Sequence, residues 1–438
     1  TNTVTNAGGA ITLGTVATIT GNYTQASGTL VVNPGVSQLV VSGLASITGG
    51  KVSASLSSTG NYLAGGNYTL VQGGAGSNYT GATLTVTGGA LGLSTGTSIA
   101  TIGGNVDLLL AVNNDYVGGT LATLTNTGTI SANTGIHITN GGSVGVVTNS
   151  GLLNGRYAFV NQGSVGTLVN TGVIAAGSTG VQGQGNYGTV VNSGTISGVS
   201  VAVAFGGSVG TLVNSGLING SQALYIGSIL GTLVNTGTIA GTINNAGGGP
   251  LTIIGGTGGT IGTLTGQSGA VGALASNANV VLASGSLLLN DQVVLGGNTL
   301  SNMGASVRLG TLISVTGQYS QTAGTLDVGA GRLVVSGAAS ITGGTVVATL
   351  SGTANYLAGQ VSSTTLVTGG VGSNYTGANV AAGGVTGLAV TGTTSGTNLV
   401  VAGLNDYVGT VLGSLNNSGT ISASNAVYVA ATGTLGSL

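Results

Sequence analysis

A five-residue phrase recurs along this chain: Asn, then Ser or Thr, Gly, any residue, and Ile or Leu. It begins at Asn126, Asn149, Asn170, Asn192, Asn214 and Asn235, in steps of 23, 21, 22, 22 and 21 residues. A fixed period of this length marks a stacked-repeat architecture. Gly (90 residues), Thr, Ser, Asn and Val dominate, and Glu is absent, so the period is not helical. A unit of about 22 residues then holds short strands separated by Gly, Asn and Ser turns. One such strand cannot bury its apolar side alone, but identical coils stacked about 4.8 Å apart give every backbone group a partner above and below. The sequence therefore predicts an all-β fold: a right-handed parallel β-helix, or β-solenoid, of about 22 residues and three short strands per coil. Handedness follows from strand twist. Roughly 20 coils would form a rod on the order of 95 Å.

A longer period overlies the first. Thr20-Gly21-Asn22-Tyr23-Thr24-Gln25 returns as Thr316-Gly317-Gln318-Tyr319-Ser320-Gln321, and Ser77-Asn78-Tyr79-Thr80-Gly81 as Ser373-Asn374-Tyr375-Thr376-Gly377, both 296 residues on. Asn114-Asp115-Tyr116 returns at Asn405-Asp406-Tyr407, 291 residues on, and Asn417-Ser418-Gly419-Thr420-Ile421 restarts the short phrase. The organisation expected is one continuous solenoid of five segments: a stem-like module at 1–110, short Asn-ladder coils at 111–245, variable Gly-rich coils at 246–300, a second stem-like module at 301–403, and the start of a second ladder at 404–438. The chain reads as an excerpt, entering and leaving inside the longer unit.

Within one coil, Thr167-Leu168-Val169 and Val173-Ile174-Ala175 read as strands flanking the turn Asn170-Thr171-Gly172. Counting back from Ser143, Ser164 and Ser208 aligns a third strand, Ile136-His137-Ile138 with Tyr157-Ala158-Phe159 and Val201-Ala202-Val203. Alternation then turns His137, Ala158 and Ala202 outward. The structural ladder is assigned to Asn126, Asn149, Asn170, Asn192, Asn214, Asn235 and Asn417: Asn tolerates left-handed backbone, and its amide can bond the same amide one coil up. The glycine after it would supply positive φ.

Composition narrows function. Four Lys/Arg in 438 residues cannot build a nucleic-acid face. No apolar run reaches the roughly 18 residues of a spanning helix, and an aromatic content of 3% without Trp suits a lipid-facing barrel poorly. Disulfides are impossible without Cys, and Thr1 opens no signal-peptide pattern. A mean hydropathy of +0.53 argues against ordinary disorder.

Chemical motifs dissolve into the repeat. Gly183-Gln184-Gly185-Asn186-Tyr187-Gly188 matches a dinucleotide fingerprint, but the next coil's strand follows where a helix is needed. Gly141-Gly142-Ser143-Val144-Gly145 and Gly206-Gly207-Ser208-Val209-Gly210 match a nucleophile elbow, yet they recur with the fold period and His137 is the only histidine. Asp107, Asp115, Asp291, Asp327 and Asp406 are the only acids. Paired-carboxylate catalysis needs two within about 10 Å, and calcium repeats need one per turn. Asn-Asp-Tyr therefore reads as a turn, with single-site cation binding at Asp115 or Asp406 the competing reading. Tyr23, Tyr62, Tyr79 and Tyr116 match Tyr319, Tyr356, Tyr375 and Tyr407 and are expected at core edges or turns, with sugar stacking or fibre contact as the alternative. No catalytic residue, cofactor or metal ligand is assigned.

The stretch from Val315 to Ala378 resembles the passenger stems of bacterial autotransporters and related secreted adhesins. It carries Gly317-Gln318-Tyr319-Ser320-Gln321, Gly324-Thr325-Leu326, Arg332-Leu333-Val334-Val335 and Asn355-Tyr356-Leu357-Ala358-Gly359; Gly21 to Gly81 carries the same series. The two cover about a third of the chain. The resemblance implies export across a bacterial envelope and an extracellular, cell-surface location. Such passengers usually carry more charge and one stem beside a C-terminal barrel. The expected function is a structural fibre or biofilm-matrix component, not an enzyme. Its expected partners are further copies of itself and cell-surface or matrix components, without nucleic acid or a membrane-spanning segment. An adhesin stem is the alternative. Ice binding through Thr123, Thr125, Thr127 and Thr129, which hold no single column across coils, and polysaccharide cleavage stand further back.

Overall fold

The computed structural model describes residues 2–418 and 420–438, with all their side chains but those of 361–363. It is a β-solenoid repeating about every 22 residues; one 3₁₀ turn, Gln267–Gly269, is the only helical element among the described residues. Two compact units are present: one of residues 2–168 and 173–186, the other of 169–172 and 187–438.

In the first unit, short parallel strands stack over residues 3–88: Thr3–Asn6 on Asn22–Gln25 on Ala45–Ile47, and Ala10–Thr12 on Thr29–Val32 on Lys51–Leu56 on Thr83–Gly88. Alternation sends Leu30, Val32, Ile47, Val52 and Ala54 inward, all fully buried. The parallel order is interrupted by an antiparallel hairpin, Thr95–Ile102 with Asn105–Val112, which joins the stack through Asn67–Gly73. Its turn is Gly103-Gly104, both at positive φ (57° and 87°), the backbone a two-residue hairpin requires. Parallel coils then resume, setting Leu124 on Val147 and Ile130 on Leu153 on Ile174.

In the second unit, apolar columns run on while the surface motifs change. Ile196, Ile218, Ile239, Leu264, Leu289 and Leu309 occupy one column, and Val203, Leu224, Ile243, Leu274, Val293, Val315 and Val335 another. All are buried. A fully buried aliphatic side chain contributes roughly 1.5–3 kcal/mol, and each column repeats that gain at one strand spacing. A second antiparallel hairpin, Val390–Ser395 with Asn398–Gly403, ends the second stem-like module.

The coil interior differs from the sequence expectation in two ways. Ladder coils carry a short strand and a long bent one, such as Val209–Asn214 and Leu217–Ile226; the bends are register shifts, as between Gly155 and Tyr157 and between Gly198 and Val201. Alignment beyond the bend also moves by two residues: Ile136 pairs with Phe159, and His137 with Val160. The turn between Ile138 and Ser143 has four residues and that between Asn161 and Ser164 has two, so counting back across it slips. Ala158 and Ala202 therefore face inward, fully buried. They share the corner of the bend with Gly135, Gly180 and Ala223, all buried. Two successive inward residues fit there only if one is small.

The glycine of the repeated phrase is also there for a different reason. Neither the ladder asparagines nor Gly151, Gly194, Gly216 and Gly237 have positive φ. A Cβ on Gly216 would lie 2.1 Å from the carbonyl oxygen of Gly194, and one on Gly151 2.0 Å from that of Gly128. The turns stack too closely for any side chain.

Candidate functional site

The polar interior of the coils holds the residues singled out above. Asn126 Nδ2 donates to Asn149 Oδ1 at 2.7 Å in the first unit. In the second, Asn170 donates to Asn192 (2.8 Å), Asn192 to Asn214 (2.8 Å) and Asn214 to Asn235 (2.9 Å). Each of these amides is buried and also donates to the carbonyl that opens the next coil's strand, as Asn192 does to Leu217 at 3.1 Å. The ladder stops at Asn235, whose amide turns to the Thr263 carbonyl. Asn417 lies exposed outside any strand, and Gly419 of its phrase is outside the described residues.

Other corner amides extend the pattern. Tyr23 Oη donates to Gln25 Oε1 and Tyr319 Oη to Gln321 Oε1, each at 2.7 Å. Gln25 and Gln321 then donate to the carbonyls of Lys51 and Thr345. Burial pushes both tyrosine hydroxyls above their usual range. Asn161 and Asn302 cap turns in the same way. These had no five-residue phrase to mark them; the recurring Tyr-x-Gln was their available signal.

The two Asn-Asp-Tyr phrases form the most elaborate polar clusters. Asp115 Oδ1 accepts from the Ala64 amide at 2.8 Å, and Asp406 Oδ1 from that of Ala358 at 2.7 Å. Asn114 Oδ1 accepts from the Ser94 amide and its Nδ2 donates to the Gly92 carbonyl; Asn405 repeats this with Ala389 and Gly387. Tyr116 and Tyr407 donate to the carbonyls of Ser58 and Gly352. Tyr79 and Tyr375 reach the hairpins at Val106 and Thr397. Each cluster pins the hairpin and the Tyr-x-x-Gly turn to the solenoid. Burial pushes the Asp115 carboxyl up, with the Ala64 amide pulling partway back. An open groove of about 660 Å³ lies beside it, lined by neutral groups such as Ser94, Asn113 and Thr125.

The remaining chemical candidates do not converge. Ser143 Oγ meets Ser164 Oγ at 2.9 Å in a serine column, and Ser208 meets Ser228 at 3.5 Å. His137 is half-buried rather than turned to solvent: Nε2 bonds the Gln162 side chain at 3.2 Å, its ring stands edge-on to Tyr116, and Gly92 lies against Nδ1. After Gly183 comes the strand Asn186–Asn192, not a helix. Among the described residues no three His or Asp side chains gather as a metal site, and no helix is long and apolar enough to cross a membrane. Asp327 Oδ1 accepts from the Gly329 amide within its own turn. Asp107 and Asp291 are buried, and burial raises both carboxyls, Asp291 to about 7.

No family model matches the chain, and searches of curated proteins and of solved structures return nothing similar to it.

Proposed function

We propose that this chain is a structural, extracellular β-solenoid of a bacterial cell surface, a fibre or biofilm-matrix component that self-associates by stacking or bundling. The observation that carries the reading is the polar interior: corner amides bond one another from coil to coil and the recurring polar clusters staple the hairpins, which is the chemistry of a scaffold. The winding is right-handed, and the bend of the long strand makes each coil three-sided. Tension is borne by backbone ladders in parallel, and five acids against four Lys/Arg leave little repulsion between neighbouring copies. Few cationic side chains also leave few sites for trypsin-like proteases. Self-association is the principal contact, with surface or matrix components as further partners, and no catalysis is assigned. Negative-stain microscopy of the purified chain over a concentration series tests this: elongated particles that bundle or lengthen are expected, and discrete single particles at high concentration would overturn it.

The likeness of Val315 to Ala378 to passenger stems supports a second reading, the stem of an autotransporter-type adhesin that attaches to cells or surfaces, while the recurrence of that series at Gly21 to Gly81 favours the fibre. A complete reading frame that ends in a terminal barrel would favour it over the fibre.

A further inference from the structure

The hairpin strand Thr95–Ile102 closes one side of a five-stranded sheet in the first unit. Among the described residues it pairs only with Asn105–Val112, without a bulge, and no backbone hydrogen bond reaches its outer side. Thr97, Ile99 and Thr101 stand opposite Leu110, Leu108 and Val106, so they share the face that Leu108 and Leu110 turn into the core. Leu108 is 3% exposed and Ile99 54%. The core-facing side of the sheet thus runs past the edge of the core uncovered.

Proteins blunt such edges with charge, proline or bulges. Residues 95–106 carry no charged residue and no proline. The second hairpin provides an internal comparison. Thr394 stands opposite Leu399, in the place Ile99 holds opposite Leu108, and that edge strand has six residues, Val390–Ser395, rather than eight. One copy of the long repeat has an eight-residue edge that exposes Ile99 and Ile102, and the other a six-residue edge with Thr394 in the place of Ile99.

We propose that Thr95–Ile102 pairs antiparallel with the same strand of a second copy, about a two-fold axis through Ile99, so that two sheets become one. Side-chain alternation permits only registers that keep both core faces on one side. An axis at Ile99 meets this condition: Ile99 opposes Ile99, Thr97 opposes Thr101, and Leu108–Ile99–Ile99–Leu108 becomes one apolar row. The pairing is self-complementary, as a two-fold contact must be, and no like charges meet. An eight-residue edge buries less than the roughly 1,200 Å² of a stable two-body interface, so the contact forms at high local concentration. It names the lateral surface for the self-association proposed above and rests on that reading only for the crowding.

The chain has no Cys, so Ile99→Cys carries a single thiol. Opposed residues of an antiparallel pair have Cα atoms about 4.5–5.5 Å apart, within disulfide reach. Mild oxidation of the full chain over a concentration series should give at least about tenfold more covalent dimer than Thr394→Cys, its counterpart on the second hairpin. Ile99→Lys sets two ammonium groups face to face and should abolish the dimer in sedimentation while leaving the circular-dichroism melt unchanged. Equal cross-linking at 99 and 394, or a dimer that survives Ile99→Lys, overturns the interface. Filaments without cross-linking at 99 remove this contact and leave the fibre reading standing; dimers linked at 99 without filaments do the reverse.

Discussion

Replacing Asp291 by asparagine should remove a large part of the pH dependence of stability. Asp291 is fully buried in the strand Ser286–Asn302, between Leu289 and Val293 and opposite Gly272. Its carboxylate makes no well-formed hydrogen bond, and the Gly272 amide is the backbone donor beside it. Burial pushes its pKa from 3.8 up to about 7, offset slightly by the nearby Gly272 amide. A folded-state pKa above the unfolded value means that folding favours the protonated acid. Its contribution is therefore most favourable below the unfolded pKa near 4, falls as pH rises, and levels off above about 7. Three pKa units correspond to about 4 kcal/mol. Urea unfolding of wild type and Asp291→Asn at steps from pH 4 to pH 8 measures it. Subtracting the variant cancels the other carboxyls, including Asp107 and Asp115, whose pKa values burial also raises. The expected difference curve slopes against wild type up to about pH 7 and is flat beyond. A difference independent of pH would refute the claim that burial disfavours the charged form of this carboxyl.

Three further outcomes follow from the coil interior. Asn192→Ala deprives the Asn170 and Asn214 amides of a shared partner and should cost about 3 kcal/mol in urea unfolding, whereas the same change at exposed Asn417 should cost little. Gly216→Ala places a methyl 2.1 Å from the Gly194 oxygen and should cost about 1–3 kcal/mol through overpacking; if the glycine served only backbone freedom, the change would be mild, since its φ is not positive. Tyr319→Phe strips Gln321 of a buried 2.7 Å bond and should lower stability by about 1–2 kcal/mol, read from the urea midpoint.

Regular spacing carried most of what the chain discloses before folding. The 21–23-residue steps of Asn126 to Asn235 mark the coil because an amide that bonds its neighbour must return at the same corner. Alternation about Leu168 and Ile174 marks their inward faces, both fully buried. Variable turns hide the alignment beyond the corner: two extra residues between Ile138 and Ser143 shift the partners of the bent strand, so counting back turns Ala158 and Ala202 outward although both are fully buried. A sequence cannot separate a glycine chosen for φ from one chosen for closeness, and Gly151 and Gly216 are of the second kind. Only the stacked carbonyl reveals the difference. The first hairpin was legible in principle, since Gly103-Gly104 between strand-forming runs is a two-residue turn signal, but the parallel period masked it. The turn reading of Asn-Asp-Tyr does not hold, since Asp115 and Asp406 open the strands Asp115–Val117 and Asp406–Val408; that their carboxylates accept from Ala64 and Ala358, some 50 positions away in sequence (51 and 48), could not be read from spacing.

Successive coils in register are the claim from which everything else follows, and the cysteine-free chain permits a direct test. Thr120 pairs with Ser143, and the Ser143 hydroxyl meets that of Ser164 one coil further on at 2.9 Å. Paired cysteines at 143 and 164 should close an intramolecular disulfide under mild oxidation. Cysteines at 120 and 164, two strand spacings or roughly 9.6 Å apart, should not, because bridges fail beyond about 7 Å. A bridge between 120 and 164 but none between 143 and 164 would contradict the stacked-coil account.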